Sequence, residues 1–253
     1  MSRRAGALIL LLAGSAAPLA GEPVSGYQLL SPEMQEMQDD EFTNPGMLTV
    51  EAGRELFSQP GLNGQACADC HGADGERINP GRIAAYPIYD QERQQVLTLR
   101  AQIDACRDER LEEFPEPYES QDLLALETFV RYLARGEPVQ VDIQGPLAEH
   151  FERGRELFET RLGQFNFSCA HCHQVYPGFR LRSQTLSQGH SNAFPAYRIT
   201  PGRVVGLHRK FIDCFITLRA EPYPVGSQEF IDLEVYSTAR GNGLPIETPG
   251  IRR

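Results

Sequence analysis

Most of this chain is written twice. Residues 51–57 read EAGRELF and residues 152–158 read ERGRELF. Ten residues after Phe57 stands Cys67-Ala-Asp-Cys70-His71, and eleven after Phe158 stands Cys169-Ala-His-Cys172-His173. YPIY at 86–89 is matched by FPAY at 194–197, and each is followed at the same distance by a cysteine, Cys106 ending QIDAC and Cys214 ending KFIDC. Glu116-Pro-Tyr118 answers Glu221-Pro-Tyr223, and QDLLALETF at 121–129 answers QEFIDLEVY at 228–236. A repeat of about 100 residues filling nearly the whole chain predicts two homologous domains arisen by internal duplication.

Each unit reads as mainly α. A helix is expected near 49–58 and again near 148–160, each followed at once by the cysteine motif. Irregular stretches rich in Gly, Pro and Asn come next, at 72–90 and 174–203. A further helix runs into Cys106 or Cys214, and an amphipathic helix closes each unit at about 120–135 and 227–239. In the first of these, Leu123, Leu126, Phe129, Val130 and Leu133 recur at helical spacing and are read as core. The expected layout is a signal segment at 1–20, an N-terminal extension at 21–47, one unit at 48–140 and a second at 146–253. Pro138 to Pro146 is the expected linker. So much loop leaves a thin core unless something large fills it.

The first 20 residues read as a cleaved secretory signal. Arg3 and Arg4 precede the apolar run AGALILLLAG, which is too short to span a bilayer, and small residues follow. No later segment is an apolar span, so the expectation is a soluble periplasmic protein. Residues 21–144 carry 24 acids against nine arginines, a net of −15, whereas residues 145–253 carry a net of +3. A mildly basic half suits a small anion, and no basic cluster of nucleic-acid type is present.

Four of the six cysteines sit in two Cys-x-x-Cys-His motifs. In an exported chain this pattern reads as covalent haem c attachment: Cys67 and Cys70, then Cys169 and Cys172, form thioethers, and His71 and His173 present an imidazole to the iron. Two haems would also supply the missing core. A zinc site would want more clustered ligands, and a redox dithiol a βαβ setting. For the sixth ligand, Met34, Met37 and Met47 all precede the first motif. His150, His190 and His208 have no counterpart in the first unit, where Arg100 matches His208. Cys106 and Cys214 alone stand at equivalent places, so His/Cys ligation is expected at both irons, with a Cys106–Cys214 disulfide as the rival. Thiolate ligation favours low potentials, suited to electron transfer or to chemistry at the ligand itself.

Lys210, the sole lysine of the chain, lies one helical turn before Cys214, with Arg209 beside it; the matching residues of the first unit are Gln102 and Ala101. A cation at this spacing lowers a thiol pKa and can hold an anion beside the sulfur. It can equally cover a haem propionate or face solvent, and the residues alone leave both readings open.

The run GSQEFIDLEVYSTARGNGLPIETPGIRR at 226–253, the FIDC segment and the CAHCH motif resemble the SoxA family, haem-bearing subunits of bacterial thiosulfate oxidation. The resemblance covers essentially the whole chain after residue 20, and the retained Cys67, Cys70, His71 and Cys106 match the dihaem type. It implies an L-cysteine S-thiosulfotransferase that joins thiosulfate oxidatively to a cysteine of a SoxYZ-type carrier. It further implies that Cys214 is the sulfur-transferring ligand, that Lys210 or Arg209 and also Arg240 belong to the active site, and that electrons leave through a SoxX-type monohaem subunit, bound as a heterodimer, to a soluble cytochrome c. The competing expectations are a non-catalytic dihaem electron carrier and a haem-based sensor.

Overall fold

The computed structural model describes residues 22–181 and 184–253. The predicted signal segment lies outside the described residues. After a short 3-10 turn at Gly26–Leu29 the chain forms α1 (Pro32–Asp39), α2 (Met47–Phe57) and α3 (Cys67–His71). Then come α4 (Pro80–Ala84), the hairpin β1 (Ile88–Asp90) and β2 (Gln95–Leu97), α5 (Leu99–Leu111) and α6 (Gln121–Tyr132). Next come α7 (Leu147–Glu159), a π-type turn at His171–Val175, and the small hairpin β3 (Arg180–Leu181) and β4 (Gln184–Thr185). The chain continues with the hairpin β5 (Ala196–Arg198) and β6 (Arg203–Val205), α8 (Leu207–Thr217) and α9 (Gln228–Ala239). The strand β7 (Gly250–Arg252) ends the chain. Among the described residues no helix is long and apolar enough to cross a membrane.

Local chemistry sets these starts. The Ser120 and Ser227 hydroxyls, at matching repeat positions, accept from the Leu123 and Phe230 amides and so cap α6 and α9. Thr98 caps α5 by accepting from Ala101, whereas the matching residue before α8 is Gly206. A side chain at Gly206 would run into the Arg100 guanidinium, so the close packing of the two halves explains the glycine.

Within each half, the helix before the motif crosses the last helix at a glycine. A Cβ on Gly53 would overlap the Ala125 carbonyl and lie 2.7 Å from Phe129 Cβ. A Cβ on Gly154 would overlap the Asp232 carbonyl and lie 2.8 Å from Tyr236 Cβ. The aromatic pairs Phe57–Phe129 and Phe158–Tyr236 meet edge to face beside these crossings, each with centroids 5.2 Å apart.

Each half keeps a buried charged pair where the two halves meet. Arg100, 2% exposed, donates through Nε and Nη2 to Glu127 Oε2 at 2.8 and 2.6 Å. At the matching repeat positions, the buried His208 lies with Nε2 3.0 Å from Glu234 Oε2, and its ring stacks on Tyr118 of the first half at 4.7 Å.

Three features depart from expectation. The stretches 72–90 and 174–203 hold short strands, too brief to leave a period in the sequence. The residues read as a linker are partly core: Val139 and Val141 are buried, and Val139 N–H donates to the Leu244 carbonyl. The N-terminal extension packs on the second half: Gln38 Oε1 accepts from Ile251 N–H at 2.9 Å, and Asn44 donates to the Pro249 carbonyl at 3.0 Å.

Gly154→Ala is expected to destabilise by about 1–3 kcal/mol through overpacking. This runs against the intrinsic helix preference for alanine, worth about 1 kcal/mol. A denaturant midpoint at or above that of the parent would show that the crossing can open.

Candidate functional site

Each cysteine motif begins a tight turn closed by its own third residue. Asp69 Oδ2 accepts from Ala66 N–H at 2.8 Å in the first. In the second, His171 Nδ1 accepts from Ser168 N–H at 3.1 Å and lies 2.7 Å from Ser168 Oγ. The single difference between CADCH and CAHCH is thus two solutions to one capping task. The motif histidines lie beside the aromatic crossings, His71 6.2 Å from Phe57 and His173 6.1 Å from Phe158.

The six cysteines form two sets of three, and none is in a disulfide. Cys106 raises Cys67, which burial first pushes up, to about 11, and Cys70 in turn raises Cys106. Cys214 raises both Cys169, lifted mainly by burial to about 12, and Cys172. Each solitary cysteine therefore faces the motif of its own half rather than its counterpart. Both are mid-helix residues, because α5 and α8 run past Cys106 and Cys214.

The donor set fits haem c. His173 Nδ1 donates to the Ser187 carbonyl at 2.8 Å, which leaves Nε2 for the hydrogen bond between this ring and Cys214. An imidazole so oriented and made more basic by a backbone carbonyl is the usual arrangement of a ligating histidine. Gly189 lies against the ring with φ +79, and a Cβ there would come within 2.9 Å of His173 Cγ. Imidazole and thiol oppose each other next to two thiols placed for thioether bonds. Among the described residues no group of three or more His, Cys, Asp or Glu side chains is gathered as a bare metal ion would require.

The two solitary thiols differ sharply. Burial pushes Cys106 up, and Arg110 and Arg93 do not reverse it. Burial also opposes ionisation of Cys214, but Lys210, the hydrogen bond and charge of His173, and Arg198 together bring it down to about 7. Lys210 on α8 thus acts on the sulfur. Arg209 turns aside, with Nε 3.5 Å from Asp213 Oδ1 and its side chain 44% exposed. Arg240, the C-cap of α9, stands on the histidine side: Nη1 donates to the Gln188 carbonyl at 2.9 Å, and the guanidinium lies 4.9 Å over the Phe158 ring.

The histidines weighed as iron ligands have other tasks. His150 Nδ1 is 2.7 Å from Asp232 Oδ1. His190 is 2.9 Å from Gln188 Oε1, and burial, with Arg240 and His173 near, holds it down to about 4. His208 belongs to the interface between halves. Arg198 was not foreseen. Its signal is in the aligned repeat, where YPIYD of the first half becomes FPAYR in the second and an acid gives way to a base.

A thiol alkylates as thiolate, so the lower its pKa, the lower the pH at which labelling begins. In the haem-free chain, iodoacetamide labelling followed by peptide mass mapping is expected to reach half its maximal rate at Cys214 near pH 7, well below Cys106 and Cys169. Lys210→Gln should move that midpoint upward. An unmoved midpoint would remove Lys210 from the site.

Residues 52–139 match the family described as SoxA/TsdA, cytochrome c domain, a domain that carries covalent haem c. The chain is 40% identical to L-cysteine S-thiosulfotransferase subunit SoxA of Rhodovulum sulfidophilum over 229 residues, 90% of this chain and 79% of that protein. It is 38% identical to the protein of the same name from Pseudaminobacter salicylatoxidans, with 92% of this chain and 82% of that one aligned. The crystal structure of SoxXA from P. pantotrophus contains a chain that superposes with a TM-score of 0.85 at 32% identity, over 91% of this chain and 87% of that one. With relatives of this likeness along nine-tenths of its length, the chain belongs to the SoxA family of L-cysteine S-thiosulfotransferase subunits.

Proposed function

We propose that this chain is a periplasmic, dihaem SoxA subunit of two duplicated cytochrome c-like domains, and that it joins thiosulfate to a cysteine of a SoxYZ-type carrier at Cys214. The observation that carries this reading is the contrast in what surrounds the two solitary thiols: Lys210, His173 and Arg198 bear on Cys214, whereas the first half has Gln102 and Asp90 at the positions matching Lys210 and Arg198. A carrier of electrons alone has no use for such a difference between two matched thiols.

The residues that would hold haem c are Cys67 and Cys70 with His71 and Cys106, and Cys169 and Cys172 with His173 and Cys214. Bound there, haem c supplies a one-electron acceptor, and the released electron pair passes on to a SoxX-type monohaem partner and a soluble cytochrome c. In the half-reaction, thiosulfate dianion and the Cys214 thiol give an S–S bond to the sulfane sulfur, with release of one proton and two electrons. The carrier's cysteine thiolate then attacks that sulfane sulfur. The bond to Cys214 breaks, and the Cys214 thiolate leaves. A thiol of low pKa is the better leaving group in this exchange. Lys210 stabilises the thiolate before and after, His173 is held in its tautomer by Ser187, and Arg240 fixes the Gln188 carbonyl next to that loop.

Cys214→Ala is expected to abolish carrier-dependent thiosulfate oxidation while an intact mass of the purified chain still shows two haem increments. Turnover by this variant would leave the non-catalytic electron carrier as the better reading. Lys210→Gln should lower thiosulfate turnover more than thermal stability.

A further inference from the structure

Arg198 ends the central strand of the three-stranded sheet, paired to Arg203 of β6 on one side and Arg252 of β7 on the other. Its register is therefore fixed from both edges, which makes it a rigid platform for a side chain. The residue is 7% exposed, and Nε has no hydrogen-bond partner among the described residues. A buried guanidinium without an anion is costly to desolvate, so such a group is normally matched by one. The charges that favour its cationic form are Cys214 and Asp213, while Arg252 opposes them. Asp213 is already turned to Arg209. Of these two, Cys214 is the one that no other arginine among the described residues engages.

The first half provides the comparison. The residue matching Arg198 is Asp90, which accepts from Arg93 Nη1 at 2.6 Å and from the Glu92 and Arg93 amides. The residue matching Lys210 is Gln102. Both cations around Cys214 are thus absent around Cys106, one replaced by a neutral group and the other by the opposite charge. Arg110 and Arg93 bear on Cys106 from other positions, and Arg93 is taken up by Asp90 and Glu109.

We propose that Arg198 is a substrate-binding residue that grips the sulfonate end of thiosulfate at Cys214, facing Lys210 across the bound anion. The inference rests on the reading of Cys214 as the sulfur-transferring residue. Thiosulfate has a sulfane sulfur to bond and three sulfonate oxygens to hold. A planar guanidinium can donate two parallel hydrogen bonds to two of those oxygens, which an ammonium cannot do. Lys210 then serves the sulfur and its charge, and Arg198 serves the oxygens and their orientation.

The test uses the haem-loaded chain with its monohaem partner and the carrier protein. Arg198→Gln and Arg198→Lys are compared with the parent and with Cys214→Ala. The expected result is a KM for thiosulfate raised about 10- to 100-fold in Arg198→Gln, the scale of a lost charged hydrogen bond. The KM for the carrier should be unchanged, inhibition by sulfate should weaken in parallel, and haem content should match the parent. Arg198→Lys should recover only part of the affinity. Should Arg198→Gln lose haem or fail to fold, Arg198→Lys alone decides: a parental KM for thiosulfate overturns the proposal and a raised one supports it. If Cys214→Ala is inactive but Arg198→Gln binds thiosulfate and sulfate as the parent does, this inference fails and the assignment of Cys214 stands. If Cys214→Ala remains active, the reading of the site falls first and this inference with it.

Discussion

Close approach of two helices at one glycine governs each half of this protein. Gly53 and Gly154 allow backbone to touch backbone where α2 crosses α6 and α7 crosses α9. An extra carbon at either place would push the pair apart, because the obstacle is a carbonyl and not a side chain that can swing away. The crossings seat Phe57 against Phe129 and Phe158 against Tyr236, and those rings in turn border His71 and His173. Through these rings the crossing and the motif histidine share one packed cluster. The likeness EAGRELF and ERGRELF keeps this glycine and the phenylalanine that borders the histidine at the same spacing in both halves.

On this shared frame the halves divide their labour through charge. The first half is strongly acidic, and several of its arginines pair with its own carboxylates, as Arg54 with Asp74 and Arg93 with Asp90. The second half directs Lys210 and Arg198 at a thiol. Burial is the largest influence on both Cys106 and Cys214 and pushes both the same way. The difference between them lies entirely in the neighbours. Each half keeps its own buried charged pair, Arg100 with Glu127 and His208 with Glu234, and the halves touch where His208 stacks on Tyr118 and Gly206 lies against Arg100. That interface also reaches the site, since Arg100 packs against Gly206 at the start of the helix that carries Cys214.

The parts that were legible in the sequence are those written twice or tied to a spacing. The four long helices of the core, both cysteine motifs and the equivalence of Cys106 and Cys214 all follow from aligning the chain with itself. Lys210 was visible because one turn of helix separates it from Cys214. Arg198 was not, because it approaches from a three-residue strand whose register depends on β7, some fifty residues further on. The distinction between Arg209 and Lys210 needed the helix phase and the position of Asp213. Arg240 was placed in the site by likeness, and its neighbours are the loop and rings on the histidine side. His208 looked like a candidate ligand by residue type alone, but burial against Tyr118 of the other half cannot be read from one unit.

The segment before the first unit has a consequence for the order of assembly. Gln38 is buried and joins three distant parts: its carbonyl accepts from Asn44 and Arg135, and its side chain accepts from Ile251 and Arg252. A chain made from its amino end holds this glutamine ready long before residues 250–252 exist. The first half can close its own crossing early, but the strap can be fastened only after residues 250–252 have been made. The same closing residues complete the sheet that aims Arg198. The half that carries Cys214 therefore becomes whole after the first, and the surroundings of its thiol are completed in the same event that fastens Gln38 to Ile251 and Arg252.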